Sequence, residues 1–204
     1  MRRTAIFGAG LLAMVLVPAA AQARYVDLRL GINAGGMYGW GTTANTPDMF
    51  HQASGGGFGA ELGLKLLVFD VSVNVLQIVK SGGLSATLIQ GMLGTDIDVP
   101  VARTRLPSGH HAHIMHFGLE GGFVLGTNAP AMLPVTNDQL ADKGISSRFR
   151  VGYEYFLNDF MGVGGSADFG YHYLLGGEAV NNTADHSSGY HLIGVASFIF
   201  HLGY

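Results

Sequence analysis

The chain has 204 residues, of which 48% are hydrophobic and only 12% are charged, and its formal net charge is −3. Soluble domains carry about 25% charged residues, so this chain lacks the charge that a water-facing surface usually has. The small negative charge and the absence of a basic stripe argue against a nucleic-acid partner. The absence of cysteine excludes disulfides and thiol chemistry. The length suits one domain.

The N-terminal segment has the three parts of a secretory signal peptide. Residues 1–3 include two arginines, residues 5–17 are apolar, and residues 19–23 form a small-residue stretch with an A-x-A pattern. The apolar run is shorter than the ~20 residues that a transmembrane helix needs. We therefore predict a signal peptide over residues 1–23, cleavage near Ala23, and a mature domain over 24–204.

Beyond the signal peptide, apolar residues alternate with polar or small ones. In the first stretch, Val26, Leu28 and Leu30 share one face, whereas Asp27 and Arg29 share the other. A period of two separates the faces of a β-strand, and a helix would mix them. Alternation is weakest in the third and fourth stretches, because residues 76–92 do not alternate cleanly. The eight predicted strands are 26–40, 58–68, 71–75, 89–99, 115–125, 148–155, 161–173 and 190–204.

The connections between these strands alternate in length. Short periplasmic turns and longer outer loops are typical of bacterial outer-membrane barrels, and an even strand number places both termini on one side. The long stretch Pro100–Ala112 departs from this pattern, since it occupies the place of a short turn. The predicted tight turns are Phe69-Asp70 and Leu157–Phe160, and the predicted outer loops are 41–57, 126–145 and 175–189.

Aromatic residues concentrate near both ends of the predicted strands. Amphipathic rings prefer the interface between lipid and water, and membrane barrels carry such rings in two girdles. The sequence predicts an outer girdle of Tyr38, Trp40, Phe58, Tyr171, Tyr173 and Tyr190, and a periplasmic girdle of Tyr25, Tyr153, Tyr155 and Tyr204.

The chain resembles the small eight-stranded outer-membrane barrels of the OmpA, OmpX and OmpW type. The last stretch, Tyr190 to Tyr204, has alternate apolar residues and a terminal aromatic. It is similar to the signal that the outer-membrane barrel assembly machinery recognises. The resemblance covers about residues 25–204. It implies an all-β, closed antiparallel up-and-down transmembrane barrel in contact with outer-membrane lipid, and it implies no catalytic residue.

Charged residues fall mainly on the face opposite the long apolar side chains. Isolated buried charges are costly, so we expect these side chains to pair with one another or to stay hydrated inside the barrel. Inward glycines either make room for long side chains or reflect bending of the strands. Parity also places Asp98, His116, His172, His191 and His201 inside. The predicted lumen charge network contains Asp27, Arg29, Glu61, Lys65, Asp96, Glu120, Arg148, Arg150, Glu154 and Asp168.

Two histidine-bearing segments are candidates for chemistry. His110, His111, His113 and His116 are weak metal candidates, because clustered imidazoles bind Zn or Cu but these lack a fixed helical spacing. His186–Ser188 is similar to the His-x-Ser order of outer-membrane lipid A deacylases, which keep the pair on the lipid-facing wall. Here a loop position is expected, and a loop does not hold a base near the nucleophile. We predict no metal, no cofactor and no catalytic site.

The sequence therefore predicts a non-enzymatic barrel that acts as a structural or interaction scaffold through its outer loops, because loops on a rigid scaffold usually carry binding. Its partners would be other envelope proteins, as in a secretion, motility or adhesion assembly. The first alternative is a narrow pore for ions or small solutes, although side chains fill an eight-stranded interior. A lipid-modifying enzyme and a soluble lipocalin-like barrel are further alternatives, and the latter requires the opposite polarity of the two faces.

Overall fold

Eight β-strands form most of the described chain. The computed structural model describes residues 26–40, 55–79, 85–127, 140–176 and 186–203, so the predicted signal peptide, Tyr25 and Tyr204 lie outside the described residues. Among the described residues, no helix is long and apolar enough to cross a membrane. The strands are β1 (Val26–Trp40), β2 (Gly55–Leu66), β3 (Phe69–Val79), β4 (Ser85–Pro100), β5 (His113–Thr127), β6 (Leu140–Asn158), β7 (Met161–Gly176) and β8 (His186–Gly203).

The strands close into one antiparallel barrel. Each strand pairs with its neighbours in the chain, and β1 also pairs with β8. Following the cross-strand register once around the barrel from Asp27 leads to Gly39, which is a stagger of 12 residues. Eight strands with a stagger of about 8 tilt by about 36°. A stagger of 12 tilts the strands further and widens the interior. The predicted fold, a closed up-and-down barrel of eight strands, is confirmed.

Exposure alternates along the strands in the way that the sequence alternates. On the outside, Leu30, Ile32 and Leu119 are 50%, 62% and 65% exposed. Asp27 and Lys65, on the opposite face, are buried in the lumen. A water-soluble barrel would show the reverse polarity, because water would solvate its outer surface. The exterior is therefore chemically suited to hydrocarbon and the interior to ion pairs.

Several strand ends extend beyond the predicted ones, so the connections are shorter than expected. The predicted turn at Phe69-Asp70 is wrong, since both residues begin β3 and the turn consists of Leu67 and Val68. Leu67 has a φ of 59°, the left-handed conformation that a two-residue hairpin loop requires. Aspartate is common in turns, but the side chain of Asp70 is buried in the lumen. The turn between β6 and β7 lies at residues 159–160, inside the predicted range.

The long connection between β4 and β5 is folded against the end of the barrel that carries the short turns. The amide of Ala112 donates to the carbonyl of Thr104 at 2.9 Å, and Arg105 forms an isolated β-bridge with His111. The amide of Phe156 in turn donates to the carbonyl of Ala112 at 2.8 Å, which ties the connection to β6. The predicted departure from short turns is thus an ordered cap, formed by residues 101–112.

Candidate functional site in the barrel lumen

Two arginines of β6 organise the middle of the lumen. Arg148 is fully buried and donates to Glu120 at 2.6 and 2.8 Å and to Asp168 at 3.1 Å. Arg150 lies two residues further along and therefore on the same face. It donates to Asp168 at 3.0 Å and to Glu61 at 3.2 Å. Such charge-assisted bonds are stronger than neutral ones, and here they join β2, β5, β6 and β7 across the interior.

A second ionic group lies nearer the capped end. Arg29 pairs with Asp70 and, at 3.3 Å, with Asp96. Lys65 pairs with the same Asp96 at 3.1 Å and with Asp98. Asp70 is a member of this group that sequence reasoning missed. Its even position on the same face as Ser72 and Asn74 was the available signal, and the proximity to the turn obscured it.

Two histidines extend this group into a chain of alternating carboxylates and imidazoles. Asp98 lies 2.8 Å from Nδ1 of His116, and Nε2 of His116 lies 3.2 Å from Glu154. The other oxygen of Glu154 lies 2.7 Å from Nε2 of His201, whose Nδ1 lies 2.7 Å from Asp27. This row of five side chains, called the carboxylate–imidazole chain below, crosses the lumen from β4 through β5, β6 and β8 to β1.

The lumen is not polar throughout, because an apolar cluster fills its outer end. The strand pairing places Leu76 opposite Leu88, and both side chains point inward and are 1% exposed. His172 and His191 lie beside this cluster, with their Nδ1 atoms 3.3 Å apart. The interior is therefore apolar at this end. The buried cluster consists of Met37, Leu76, Ile78, Ala86, Leu88, Val124, Leu174 and Ile193.

Two small cavities lie between the ionic groups. The central cavity has a volume of about 60 Å³ and the lower cavity, beside the cap, about 30 Å³. A bound water needs roughly 10–15 Å³ of such space and several polar partners, so both cavities accommodate a few waters. Neither is lined by a residue of the apolar cluster. The central cavity is lined by Arg29, Glu61, Asp96, His116, Arg150 and Glu154, and the lower one by Asp27, Arg29, Lys65, Asp98, His116 and His201, among others.

Two inward glycines avoid clashes of different kinds. A Cβ atom at Gly63 would lie 3.2 Å from a guanidinium nitrogen of Arg29, so this glycine makes room for a long side chain. At Gly122 a Cβ atom would instead collide with the backbone carbonyl of Gly91 on the neighbouring strand. That position reflects close approach of two strands, and it requires glycine for the backbone rather than for a side chain.

Of the four predicted metal candidates, His110, His111 and His116 line the lower cavity and His113 does not. His113 lies on the outer face, where its Nδ1 is 2.6 Å from the hydroxyl of Tyr153. Nδ1 of His111 contacts the carbonyl of Ala102 at 2.8 Å within the cap. His116 points into the lumen, because its position has the opposite parity to His113. His113 is thus separated from the other three imidazoles, and among the described residues no three of the four form a group close enough to hold a metal.

Within the described ranges, a different trio approaches the geometry of a metal site. Asp96, Asp98 and His116 each offer one ligand atom, and these three atoms lie within 4.8 Å of one another. The ammonium group of Lys65 already contacts both of these carboxylates. A positive charge of the protein itself thus occupies the place where a cation would be expected.

His186–Ser188 does not lie in a loop, and that prediction is wrong. The three residues begin β8, where Ser187 is buried in the lumen and Ser188 has the opposite, outward parity. Asp185 lies outside the described residues. A strand position fixes the direction of each side chain, and the two serines consequently face different environments.

Aromatic rings pack on the outer surface near both ends. Tyr190 lies 6.2 Å from Trp40 and 5.5 Å from Tyr171, measured between ring centroids. At the capped end, the ring of Tyr155 lies 4.8 Å from that of His113. Their function as membrane-interface anchors stays a prediction. Tyr38, Phe58, Tyr153 and Tyr173 are also exposed on the outside.

The barrel has a closed strand register, an apolar exterior and paired charges inside. The protein is a small eight-stranded barrel whose exterior is apolar, as in barrels that face lipid. No protein-family model and no curated protein sequence matches it. The predicted resemblance to small eight-stranded barrels is confirmed for the fold by the strand register itself.

Two solved structures are similar to this barrel. The outer membrane protein OprG from Pseudomonas aeruginosa has 10% sequence identity and a TM-score of 0.45, over 90% of this chain and 98% of that chain. Neisserial surface protein A (NspA) has 15% identity and a TM-score of 0.43, over 84% of this chain and 95% of that chain. No residue role is carried over from either protein.

Proposed function

We propose that the mature chain is an integral outer-membrane barrel that serves as a structural or interaction scaffold, and that it is neither an enzyme nor a channel. The observation that carries this proposal is the closed lumen. Ionic contacts cross its middle and its capped half, and the apolar cluster fills its outer end. Opening a path for solutes would expose apolar side chains to water and separate buried charges, and both changes are costly.

The membrane location is supported by the polarity of the barrel wall. Outward apolar side chains such as Leu93 and Phe149 are 61% and 47% exposed, and membrane barrels carry such a band against lipid. Export by a signal peptide cleaved near Ala23 remains a prediction. Recognition of the C-terminal strand by the barrel assembly machinery belongs to the same proposal, as does contact with outer-membrane lipid.

The scaffold role rests on the geometry of the connections. In an up-and-down barrel the connections that follow β1, β5 and β7 all leave the same end, opposite to the cap. They span residues 41–54, 128–139 and 177–185. A rigid barrel that presents several long segments at one end is suited to contact another envelope protein, as in a secretion, motility or adhesion assembly.

Site-specific photocrosslinking in intact cells tests the scaffold role. Crosslinkers at Asp48, Asn137 and Asn181 are expected to capture one reproducible envelope protein, identified by mass spectrometry. Crosslinkers at Arg103 and Ser108, in the cap at the opposite end, are the matched controls and should not capture it. Absence of any protein adduct from all three outer connections would contradict the scaffold role.

The narrow pore remains the rival function, because two cavities large enough for water lie in the lumen. Planar-bilayer recording of the refolded barrel separates the two functions, with a general porin as the positive control. We expect no steady openings from this barrel. Steady openings whose conductance changes in the Arg150→Gln or Glu61→Gln variant would support the pore and overturn the closed-lumen proposal.

A further inference from the structure

The chain of carboxylates and imidazoles has a fixed requirement for protons. It contains four contacts between a ring nitrogen and a carboxylate oxygen, at 2.8, 3.2, 2.7 and 2.7 Å. An ionised carboxylate only accepts hydrogen bonds, and a neutral imidazole donates through just one of its two nitrogens. Two neutral rings therefore supply two protons for four contacts. The other two contacts need two additional protons.

The charges of the lumen are consistent with these additional protons. Within the described strands, eight carboxylates line the lumen with four arginine and lysine side chains. Two additional protons reduce the excess of negative charge from four to two. Buried charge without compensation is costly, so the extra protons stabilise the folded lumen. The carboxylates are Asp27, Glu61, Asp70, Asp96, Asp98, Glu120, Glu154 and Asp168, and the cations are Arg29, Lys65, Arg148 and Arg150.

The carboxylate–imidazole chain lies between the two cavities of the lumen. His116 lines both cavities, Glu154 lines the central cavity, and His201 lines the lower one. The chain thus forms a floor between the central cavity and the lower cavity beside the cap. A ring nitrogen that lost its proton would face a carboxylate oxygen with a lone pair, and the two groups would repel each other. Loss of the protons would open this floor.

Other charged groups face the carboxylate–imidazole chain from most of the surrounding strands. Asp96 lies 3.7 Å from Nδ1 of His116 and adds negative charge, which favours a protonated ring. Lys65 opposes it, since its ammonium group contacts Asp98. From β7 the cavity lining has only Gly165 and Ser166, which do not titrate. The remaining facing groups are Arg29 from β1, Glu61 from β2, Asp70 from β3 through its pair with Arg29, Arg150 from β6, and His110 and His111 from the cap.

We propose that Asp98, His116, Glu154, His201 and Asp27 form a two-proton binding site whose occupancy keeps the capped half of the lumen closed. When the site empties, its two additional protons pass to water in the lower cavity, two of the four contacts become repulsive and separate, and the two cavities join. The site responds to the pH of the compartment on the capped side, because the lower cavity is the one beside the cap. This inference stands on the lumen geometry and does not depend on the scaffold role.

Nitrogen-15 NMR of the refolded barrel, with labelled histidine, measures the stored protons directly. At pH 7 all four ring nitrogens of His116 and His201 are expected to show the chemical shifts of protonated nitrogens. A shift typical of an unprotonated nitrogen at any of the four would overturn the proposal. This measurement uses the unaltered chain, so it holds even where a variant fails to fold.

The Glu154→Gln variant tests the central carboxylate. A carboxamide has one accepting oxygen and one donating nitrogen. One ring nitrogen must then accept a bond, and the number of additional protons should fall from two to one. Glu61→Gln is the matched control, because Glu61 lies in the same lumen and contacts Arg150 rather than either ring. Two fully protonated rings in the Glu154→Gln variant would contradict the proposal.

Hydrogen exchange tests the link between the protons and the closed floor. As the pH is raised, amide protection factors at Glu154 and His201 should fall at the pH at which the two rings lose their protons. Protection at Leu119, in the middle of β5, should persist through that pH and serves as the internal control. Unchanged protection at Glu154 and His201 after the rings have lost their protons would show that the site does not hold the floor.

Discussion

At the scale of single residues, Arg148 shows how the lumen tolerates so much charge. Its guanidinium donates to Glu120 on β5 and to Asp168 on β7, the two strands that flank β6. A buried ion pair adds little net stability over an apolar pair of the same shape, because both charges lose their hydration. Removing one partner is far more harmful, because the other partner stays buried without compensation.

We expect Arg148→Met to destabilise the barrel by about 3–5 kcal/mol, since it leaves the buried Glu120 carboxylate with only the guanidinium of Arg150, 4.0 Å away. Asp168 is less affected because it keeps its bonds to Arg150. The double variant Arg148→Met with Glu120→Gln should recover part of the loss. Urea unfolding in lipid vesicles compares the unaltered barrel, the two single variants and the double variant. Additive effects of the two substitutions would show that the pair is not coupled.

The identity of the inward residues is readable from sequence, but their partners are not. Alternation alone places Glu61 and Arg150 in the lumen. Their contact joins residues 89 positions apart, and it depends on the stagger of the whole barrel. The stagger follows from the summed register of eight strand pairs, for which no local pattern exists. The His116–Glu154–His201 chain was missed as a unit for the same reason.

At the scale of elements, β3 and β4 explain where sequence patterning loses its signal. A half-buried strand alternates because one face is apolar and the other polar. The outer halves of these strands carry apolar residues on both faces, since Ile78 and Leu88 fill the lumen while Val79 and Ile89 have the outward parity. The contrast between faces disappears there, although the strands continue. The predicted ends of the third and fourth strands were short for this physical reason.

Two leucines of β4 provide a matched test of the apolar cluster. Leu88→Ala should cost about 2–5 kcal/mol, because the closed lumen cannot refill the space. Leu93→Ala should cost less, because Leu93 is 61% exposed on the outside and lipid replaces the lost contacts. Unfolding in vesicles compares the two variants. A similar loss for both would mean that the outer end of the lumen is not packed.

At the scale of the whole molecule, one allocation of side chains explains the fold and the proposed functions. Because the barrel is closed, the polar backbone groups are paired within the wall. Apolar side chains face outward, so the exterior matches hydrocarbon. Ion pairs and the apolar cluster occupy most of the interior, so contact with partner proteins is expected at the two ends. The ordered cap lies at one end and the long connections lie at the other.

Spin labelling in lipid vesicles examines this allocation most directly, and the chain has no cysteine that would interfere. A nitroxide on Leu119→Cys, at the centre of β5, should collide often with dissolved oxygen and rarely with an aqueous nickel chelate. A nitroxide on Val101→Cys, in the cap, should show the opposite preference. If the label at position 119 met the nickel chelate as often as the label at position 101, the outer wall would face water and the membrane barrel would be wrong.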